Sequence, residues 1–219
     1  SMNSFTLTAI PLFILMSDVL VRSGLSNGFY RGLSVLVQWL PGGLLQTNVA
    51  GCAFFAAISG SSVATAAAIG TVAVPQLRER GYSASMSYGS LAAGGTLGIL
   101  IPPSIAMIIY GAFTETSIAQ LFMAGLIPGI ALTLLFMLFI GVRAIMTPEI
   151  APRQSERVSL ADVLRAIKAI LPFAVLMLTV LGGIYLGVTT PTEAGALGAL
   201  LAIIISVVWG GMRFKAFVE

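Results

Sequence analysis

Of the 219 residues, 58% are hydrophobic and only 9% are charged, and the mean hydropathy is +1.02. A water-soluble domain carries about 25% charged residues, so 11 Lys and Arg with 8 Asp and Glu cannot cover a water-facing surface here. The alternative solvent is lipid. A net charge of +3 spread over loops fits anionic headgroups rather than nucleic acid. There is no histidine, which removes the commonest catalytic base and metal ligand. Without it, and without paired carboxylates at membrane depth, an intramembrane enzyme is not expected. The single cysteine, Cys52, lies in a small-residue stretch and is read as a packing residue.

At about 20 residues per spanning helix, the apolar content allows roughly five to seven membrane segments. The first, 5–21, has no basic region before it and is read as a membrane helix, not a leader. Asp18 stands four residues before Arg22, the spacing of an ion pair on one helix face. The next uncharged stretch, 44–77, is too long for one helix, and Ile58-Ser-Gly-Ser-Ser-Val-Ala-Thr65 at its middle contains residues that open helices. Two half-length helices meeting at 59–62 make a helical hairpin, re-entrant or fully spanning. Gln46 and Asn48 open it, either lining a cavity or capping an end. Arg78 and Arg80 anchor its return. The stretch 85–111 is interrupted by Gly94-Gly-Thr-Leu-Gly98 and Pro102-Pro103-Ser104, so a discontinuous span is expected.

The stretch 121–142 reads as a plain span. From 143 to 169 the chain turns polar, with Pro148, Pro152 and a capping-box-like Ser159-Leu-Ala-Asp162. Leu160, Val163, Leu164 and Ile167 share one face, the pattern of an interfacial helix lying along the membrane. Two further spans, 170–188 and 194–212, close the chain. Pro191 and Glu193 mark an ordinary helix start, and Trp39 and Trp209 fit interfacial belts. With the hairpin returning to its starting side and 85–111 crossing once, every basic residue falls on one face, which the positive-inside rule makes cytoplasmic. The far face keeps Glu115 and Glu193. The regions are thus 1–142, 143–169 and 170–219.

Non-helical backbone at membrane depth is tolerated where it lines protein or a water-filled cavity. Transporters use such breaks: half-helix N-termini face anions and unwound carbonyls hold Na+. Ser59, Gly60, Ser61, Ser62 and Thr65 at the hairpin, with Gly94, Gly95, Thr96, Gly98, Pro102, Pro103 and Ser104 at the broken span, form the candidate sodium and substrate site. A cation is assigned to Ser61, Gly95 and Gly98. Small residues also serve packing in membrane helices, so each hydroxyl alone is weak; the pairing of two breaks is the signal.

These segments resemble a known family. The run Ile58-Ser-Gly-Ser-Ser-Val-Ala-Thr-Ala-Ala-Ala-Ile-Gly-Thr-Val-Ala-Val-Pro75, then Arg78-Glu-Arg-Gly-Tyr82, then Ala92-Ala-Gly-Gly-Thr-Leu-Gly-Ile-Leu-Ile-Pro-Pro-Ser-Ile-Ala-Met-Ile-Ile-Tyr-Gly111 is similar to the large, DctM-type membrane subunit of tripartite ATP-independent periplasmic (TRAP) transporters. Ala9-Ile-Pro-Leu-Phe-Ile-Leu15, Phe122-Met-Ala-Gly-Leu-Ile-Pro-Gly129 and Val188-Thr-Thr-Pro-Thr-Glu-Ala194 extend the likeness along nearly the whole chain. The resemblance implies an all-α polytopic membrane protein of the bacterial inner membrane. It implies a helical hairpin plus a discontinuous transmembrane helix, one half of an inverted-repeat, ion-transporter-superfamily-like elevator fold. It further implies uptake of an organic acid, such as a dicarboxylate or sialic acid, in symport with Na+ and without ATP or another cofactor. The partners implied are a periplasmic substrate-binding protein and a small membrane subunit. Because the family's large subunit is longer, the chain is expected to hold one half of the repeat. A channel, or a carrier working without a binding protein, is the alternative.

Overall fold

A computed structural model of the protein describes residues 7–152 and 158–210. The expected helix start at Phe5, and Arg153, Arg157, Arg213 and Lys215 of the charge count, lie outside the described residues. Those described are helical, with no strand among them.

Helix α1 (Ala9–Arg22) has 14 residues, about 21 Å of rise, too short for a bilayer core of about 30 Å. It runs into α2 (Leu25–Val37) through a 78° bend. Ser23-Gly24 makes the corner. Gly24 takes φ 73°, and the Ser23 hydroxyl donates to the Leu20 carbonyl at 2.7 Å and accepts from the Leu25 amide at 3.3 Å. One straight crossing over 5–21 is therefore replaced by a bent pair. Charge spacing carries no signal for α2, because Arg22 and Arg31 break the uncharged run there.

The hairpin arms are α3 (Leu44–Ser59) and α4 (Ser62–Glu79). The broken span is α5 (Ala84–Thr96), one 3-10 turn (Leu97–Ile99), and α6 (Ile105–Thr114). Three helices among the described residues are long and apolar enough to cross alone: α7 (Ile118–Met146), α8 (Leu160–Tyr185) and α9 (Pro191–Val208). A separate interfacial helix ending near residue 169 is not found. The Ser159–Asp162 capping box starts α8, and no glycine interrupts it before Gly182. Pro172 removes one backbone hydrogen bond without ending the helix. At 26 residues, about 39 Å, α8 is longer than the hydrocarbon core is thick, so it extends past that core or tilts within it.

Backbone and groove contacts sort the helix ends. The Tyr82 hydroxyl accepts from the Leu44 amide at 3.2 Å, and the Ser83 amide donates to the Ile150 carbonyl at 3.1 Å. Gln38 lies against Arg31, Asp162 and Arg165 on one side and against Ala144 and Pro148 on the other. Arg31, Arg80, Arg143 and Arg165 therefore gather at one end. At the opposite end the Tyr185 hydroxyl donates to the Phe122 carbonyl at 3.4 Å. Glu115 and Glu193 lie there, just before α7 and just after α8.

The core is held by shape and by one polar chain. Phe29 stacks on Phe173 with ring centroids 4.6 Å apart, joining α2 to α8. A Cβ on Gly198 of α9 would stand 2.6 Å from the Met16 sulfur of α1 and 2.9 Å from Val180 Cγ2, so any side chain there would push these neighbours aside. Fully buried Tyr30 donates its hydroxyl to the Asn48 Oδ1 at 2.6 Å, and Asn48 Nδ2 donates to Ser90 Oγ at 2.8 Å. Gln46 Nε2 donates to the Pro41 and Met137 carbonyls at 2.8 and 2.9 Å. Gln46 and Asn48 thus tie helices together rather than line a cavity. Asn48→Ala should cost about 1 kcal/mol and up to about 3, because it leaves the Tyr30 hydroxyl without its acceptor. Tyr30→Phe should cost less in that background than in the native protein, so thermal melts of the double-mutant cycle should be clearly non-additive; additive losses would contradict the network.

Candidate functional site

At the hairpin tip, Gly60 ends α3 with φ 62°, a left-handed conformation suited to glycine. Ser61 is extended and its Oγ accepts from the Ala64 amide at 3.4 Å, capping α4. Ser59 Oγ and Thr65 Oγ1, both buried, lie 2.5 Å apart across the tip. Ser59 Oγ also donates to the Ser61 carbonyl at 3.3 Å. The first amides of a helix have no acceptor within it. In α4 Ser61 satisfies those of Ala64 and Thr65. The Ser62 and Val63 amides precede them where the helix opens outward, with Val63 79% exposed.

In the broken span, the chain leaves helix after Ile99 and passes through the cis Pro102-Pro103 bond. Pro103 cannot donate and Pro102 removes a second amide, so this stretch cannot continue the α5 ladder. Ser104 restarts the helix in an extended conformation and donates its buried hydroxyl to the Ile99 carbonyl at 2.8 Å, bridging the gap from below.

The two breaks interlock. The Ile105 amide, first in α6, donates to the Gly60 carbonyl at 3.2 Å. A Cβ on Gly60 would meet the Pro103 carbonyl oxygen at 2.7 Å, and one on Gly98 would meet the Ser61 carbonyl oxygen at 2.6 Å. A Cβ on Gly95 would meet the Ala66 Cβ at 2.8 Å, and one on Gly94 the Cys52 Cβ at 2.9 Å. Gly60 and Gly98 let the two irregular backbones touch, and Gly94 and Gly95 bring α5 against the two arms of the hairpin. The tip meets the break with all 10 residues of α6 still beyond it, about 15 Å of rise. The hairpin therefore turns back level with the break rather than at the far end of α6.

Ser59, Gly60, Ser61, Ser62, Thr65, Gly95, Gly98, Pro103 and Ser104 thus come together, with Pro102 in the turn between the half-helices, whereas Gly94 lies away from the tip, against Cys52 of α3. Thr96 does not join them: it is exposed, with its hydroxyl bonded to the Ala93 carbonyl at 2.6 Å on its own helix. What gathers is hydroxyl and carbonyl oxygen with helix N-termini. Among the described residues no three His, Cys, Asp or Glu side chains cluster.

Residues 1–219 match the family model for the tripartite ATP-independent periplasmic transporter, DctM component. The chain belongs to the DctM family. It is 41% identical over 214 residues to the C4-dicarboxylate TRAP transporter large permease protein DctM of Pseudomonas aeruginosa, covering 96% of this chain and 49% of that protein. It is 37% identical to the isethionate TRAP transporter permease protein DctMQ of Oleidesulfovibrio alaskensis, over 94% of this chain and 32% of that one. It is 32% identical to the sialic acid TRAP transporter large permease protein SiaM of Vibrio cholerae, over 99% and 50%. The chain thus spans about half the length of the C4-dicarboxylate and sialic acid permeases it matches. The DctM family is one of transporters, not of enzymes, and its long apolar helices make this a multi-pass membrane protein.

In this DctM chain the break is also gripped from behind. Gly125 and Gly129 of α7, spaced as in GxxxG contacts, sit on Leu100 and Ile101: a Cβ on Gly125 would meet the Leu100 carbonyl oxygen at 2.7 Å, and one on Gly129 the Ile101 Cγ1 at 2.7 Å. The Gly-xxx-Gly spacing in Phe122-Met-Ala-Gly-Leu-Ile-Pro-Gly129 was readable, but its partner was not. On the other flank, a cleft of about 420 Å³ runs between α1 and the tip, lined by Ser17, Asp18, Ser59, Ser61 and Thr71 among others. Asp18 bonds Arg22 Nε at 2.8 Å, the ion pair expected from spacing, yet it also faces this cleft.

Gly98→Ala should lower the melting temperature of the full-length protein, because its methyl collides with the Ser61 backbone. Gly89→Ala, on the same broken span with nothing within 4 Å of its Cβ, should be neutral or gain about 0.5–1 kcal/mol from helix propensity. Equal effects would argue against the interlock.

Proposed function

We propose that the chain forms part of the large permease subunit of a Na+-coupled secondary transporter that imports an organic acid into bacteria across the inner membrane. Substrate is handed over by a periplasmic binding protein, and a small membrane subunit completes the assembly. The observation that carries this reading is the junction of two helix breaks, where Gly60 and Ser61 lie against Gly98 and 103–105. Carbonyls released from helical pairing, with the Ser59, Ser61 and Thr65 hydroxyls, suit a hard cation that takes oxygen ligands. The opening amides of α4 at Ser62 and Val63 suit a carboxylate, since a helix N-terminus carries partial positive charge. A bound cation beside that N-terminus would strengthen its hold on the anion, which supplies the coupling: each ligand binds better with the other present. Thr96 has no part in this proposal.

The relatives support an organic anion, since their names cite C4-dicarboxylate, isethionate and sialic acid. The named isethionate permease DctMQ supports a small subunit as partner.

The test is uptake into proteoliposomes by the full-length protein with its membrane and binding-protein partners. Accumulation should require an inward Na+ gradient and the binding protein. Ser61→Ala should raise the Na+ concentration for half-maximal uptake about tenfold, the loss of about 1.4 kcal/mol of ligand energy, whereas Thr96→Ala should leave it unchanged. Uptake indifferent to Na+, or flux without a binding protein, would select the carrier or channel alternative instead.

A further inference from the structure

Away from the breaks, a basic groove runs along the seam between α2 and the first turns of α8. Two adjoining hollows, of about 430 and 340 Å³, share Gly28, Arg165 and Ala169 in their walls. Arg31 lines the first, and Lys168 and Trp209 line the second. Among the described residues neither Arg31 nor Lys168 has an acidic partner, while Arg165 is held by Asp162 at 3.3 Å. Among the described residues Asp162 is the one carboxylate in the walls, and it is already engaged by Arg165 and by the Ser159 amide at 3.1 Å. Two uncompensated cations therefore remain beside a third.

The groove exists because of where the glycines fall. At Gly32 the helices touch, and a Cβ there would meet the Ala166 carbonyl oxygen at 2.9 Å. One turn earlier, at Gly28, nothing lies within 4 Å of that position. The two helices thus touch at Gly32 and stand apart at Gly28. Around it the surface is apolar: Leu160 is 83% and Leu164 68% exposed on the same α8 turns as Arg165 and Lys168, and half-exposed Trp209 stands at the end of α9. A cationic groove bordered by exposed leucine and tryptophan matches the boundary between headgroups and acyl chains.

We propose that this groove is a binding site for an anionic phospholipid. Its phosphate is held by Arg31 and Lys168 with Arg165, and its chains lie along the exposed leucine face of α8. Charge complementarity and the apolar border favour lipid over a soluble phosphate, which would gain nothing from Leu160 and Leu164. The inference rests on the membrane character of the chain and stands whether or not transport is sodium-coupled. By bridging α2 and α8, the lipid would brace the bent α1–α2 pair against the long span behind it.

The full-length protein, with the subunits that co-purify, is to be stripped of lipid and offered phosphatidylglycerol or phosphatidylcholine in mixed micelles. Retained lipid is counted by native mass spectrometry. Phosphatidylglycerol should be retained selectively. Arg31→Gln with Lys168→Gln should weaken retention roughly 30-fold, the expectation for two basic contacts to an anionic surface. A control double variant, Arg78→Gln with Arg143→Gln, removes the same charge outside the groove and should change retention less than threefold. Gly28→Leu fills the groove without altering charge and should also displace the lipid, which keeps the question open to test if the double variant misfolds. Equal losses in both double variants would reduce the effect to general electrostatics and overturn the site, as would full retention by Gly28→Leu. Inorganic phosphate protecting the protein against heat as well as phosphatidylglycerol does would overturn the lipid assignment.

Discussion

The structure depends on one constraint: backbone that leaves helical pairing inside an apolar protein must find partners there. Both irregular segments meet it through each other. The Gly60 carbonyl, freed where α3 ends, takes the Ile105 amide, freed where α6 begins. The Ser59 and Ser104 hydroxyls take the Ser61 and Ile99 carbonyls, and Thr65 holds Ser59 in place, while the Ser62 and Val63 amides are left facing outward. Neither the hairpin tip nor the broken helix is complete alone, and each serves as part of the other's cap.

Around this junction the molecule is arranged to hold backbones close. Glycine at positions 94, 95 and 98 brings α5 and its extension against both arms of the hairpin, and Gly125 and Gly129 bring α7 onto the break from the opposite side. In lipid, helix association draws little from the hydrophobic effect and relies on close packing and interhelical hydrogen bonds. The Tyr30–Asn48–Ser90 chain supplies such bonds, linking the bent arm α2 to the hairpin and to α5. The same logic explains why α7 buries only a narrow stripe: beyond its glycines, its leucines and phenylalanines have lipid or other membrane helices as their natural surroundings.

Much of this was legible because punctuation at membrane depth is rare and strong. Gly-Ser at the hairpin tip and the paired proline at 102–103 break the helices where expected, at Gly60-Ser61 and at 100–104, whereas the glycines at 94–98, also expected to interrupt, stay helical: α5 runs to Thr96 and a 3-10 turn to Ile99, because glycine weakens a helix without removing its hydrogen bonds. The boundary expected near residue 169 failed for the converse reason. A change from polar to apolar sequence alters what surrounds a helix, not whether its backbone bonds continue, and nothing between Ser159 and Pro172 could stop it. Thr96 shows the same limit on a smaller scale: it stands among glycines of the break, but helical phase turns it outward, where its hydroxyl folds back on Ala93.

By itself, the sequence determined the solvent, the helical class, the family and two of the places where helices break, but not the corner at Ser23-Gly24. Composition, charge distribution and residue-specific backbone preferences are all local properties. Only the tertiary structure decided that the two breaks lock together, that the hairpin turns level with the break, that Gly125 and Gly129 face Leu100 and Ile101, and that Arg31 and Lys168 line adjoining hollows. Those facts depend on approach distances between segments far apart in the chain. The tolerance of a few tenths of an ångström set by a missing Cβ is a property of the pair, not of either glycine.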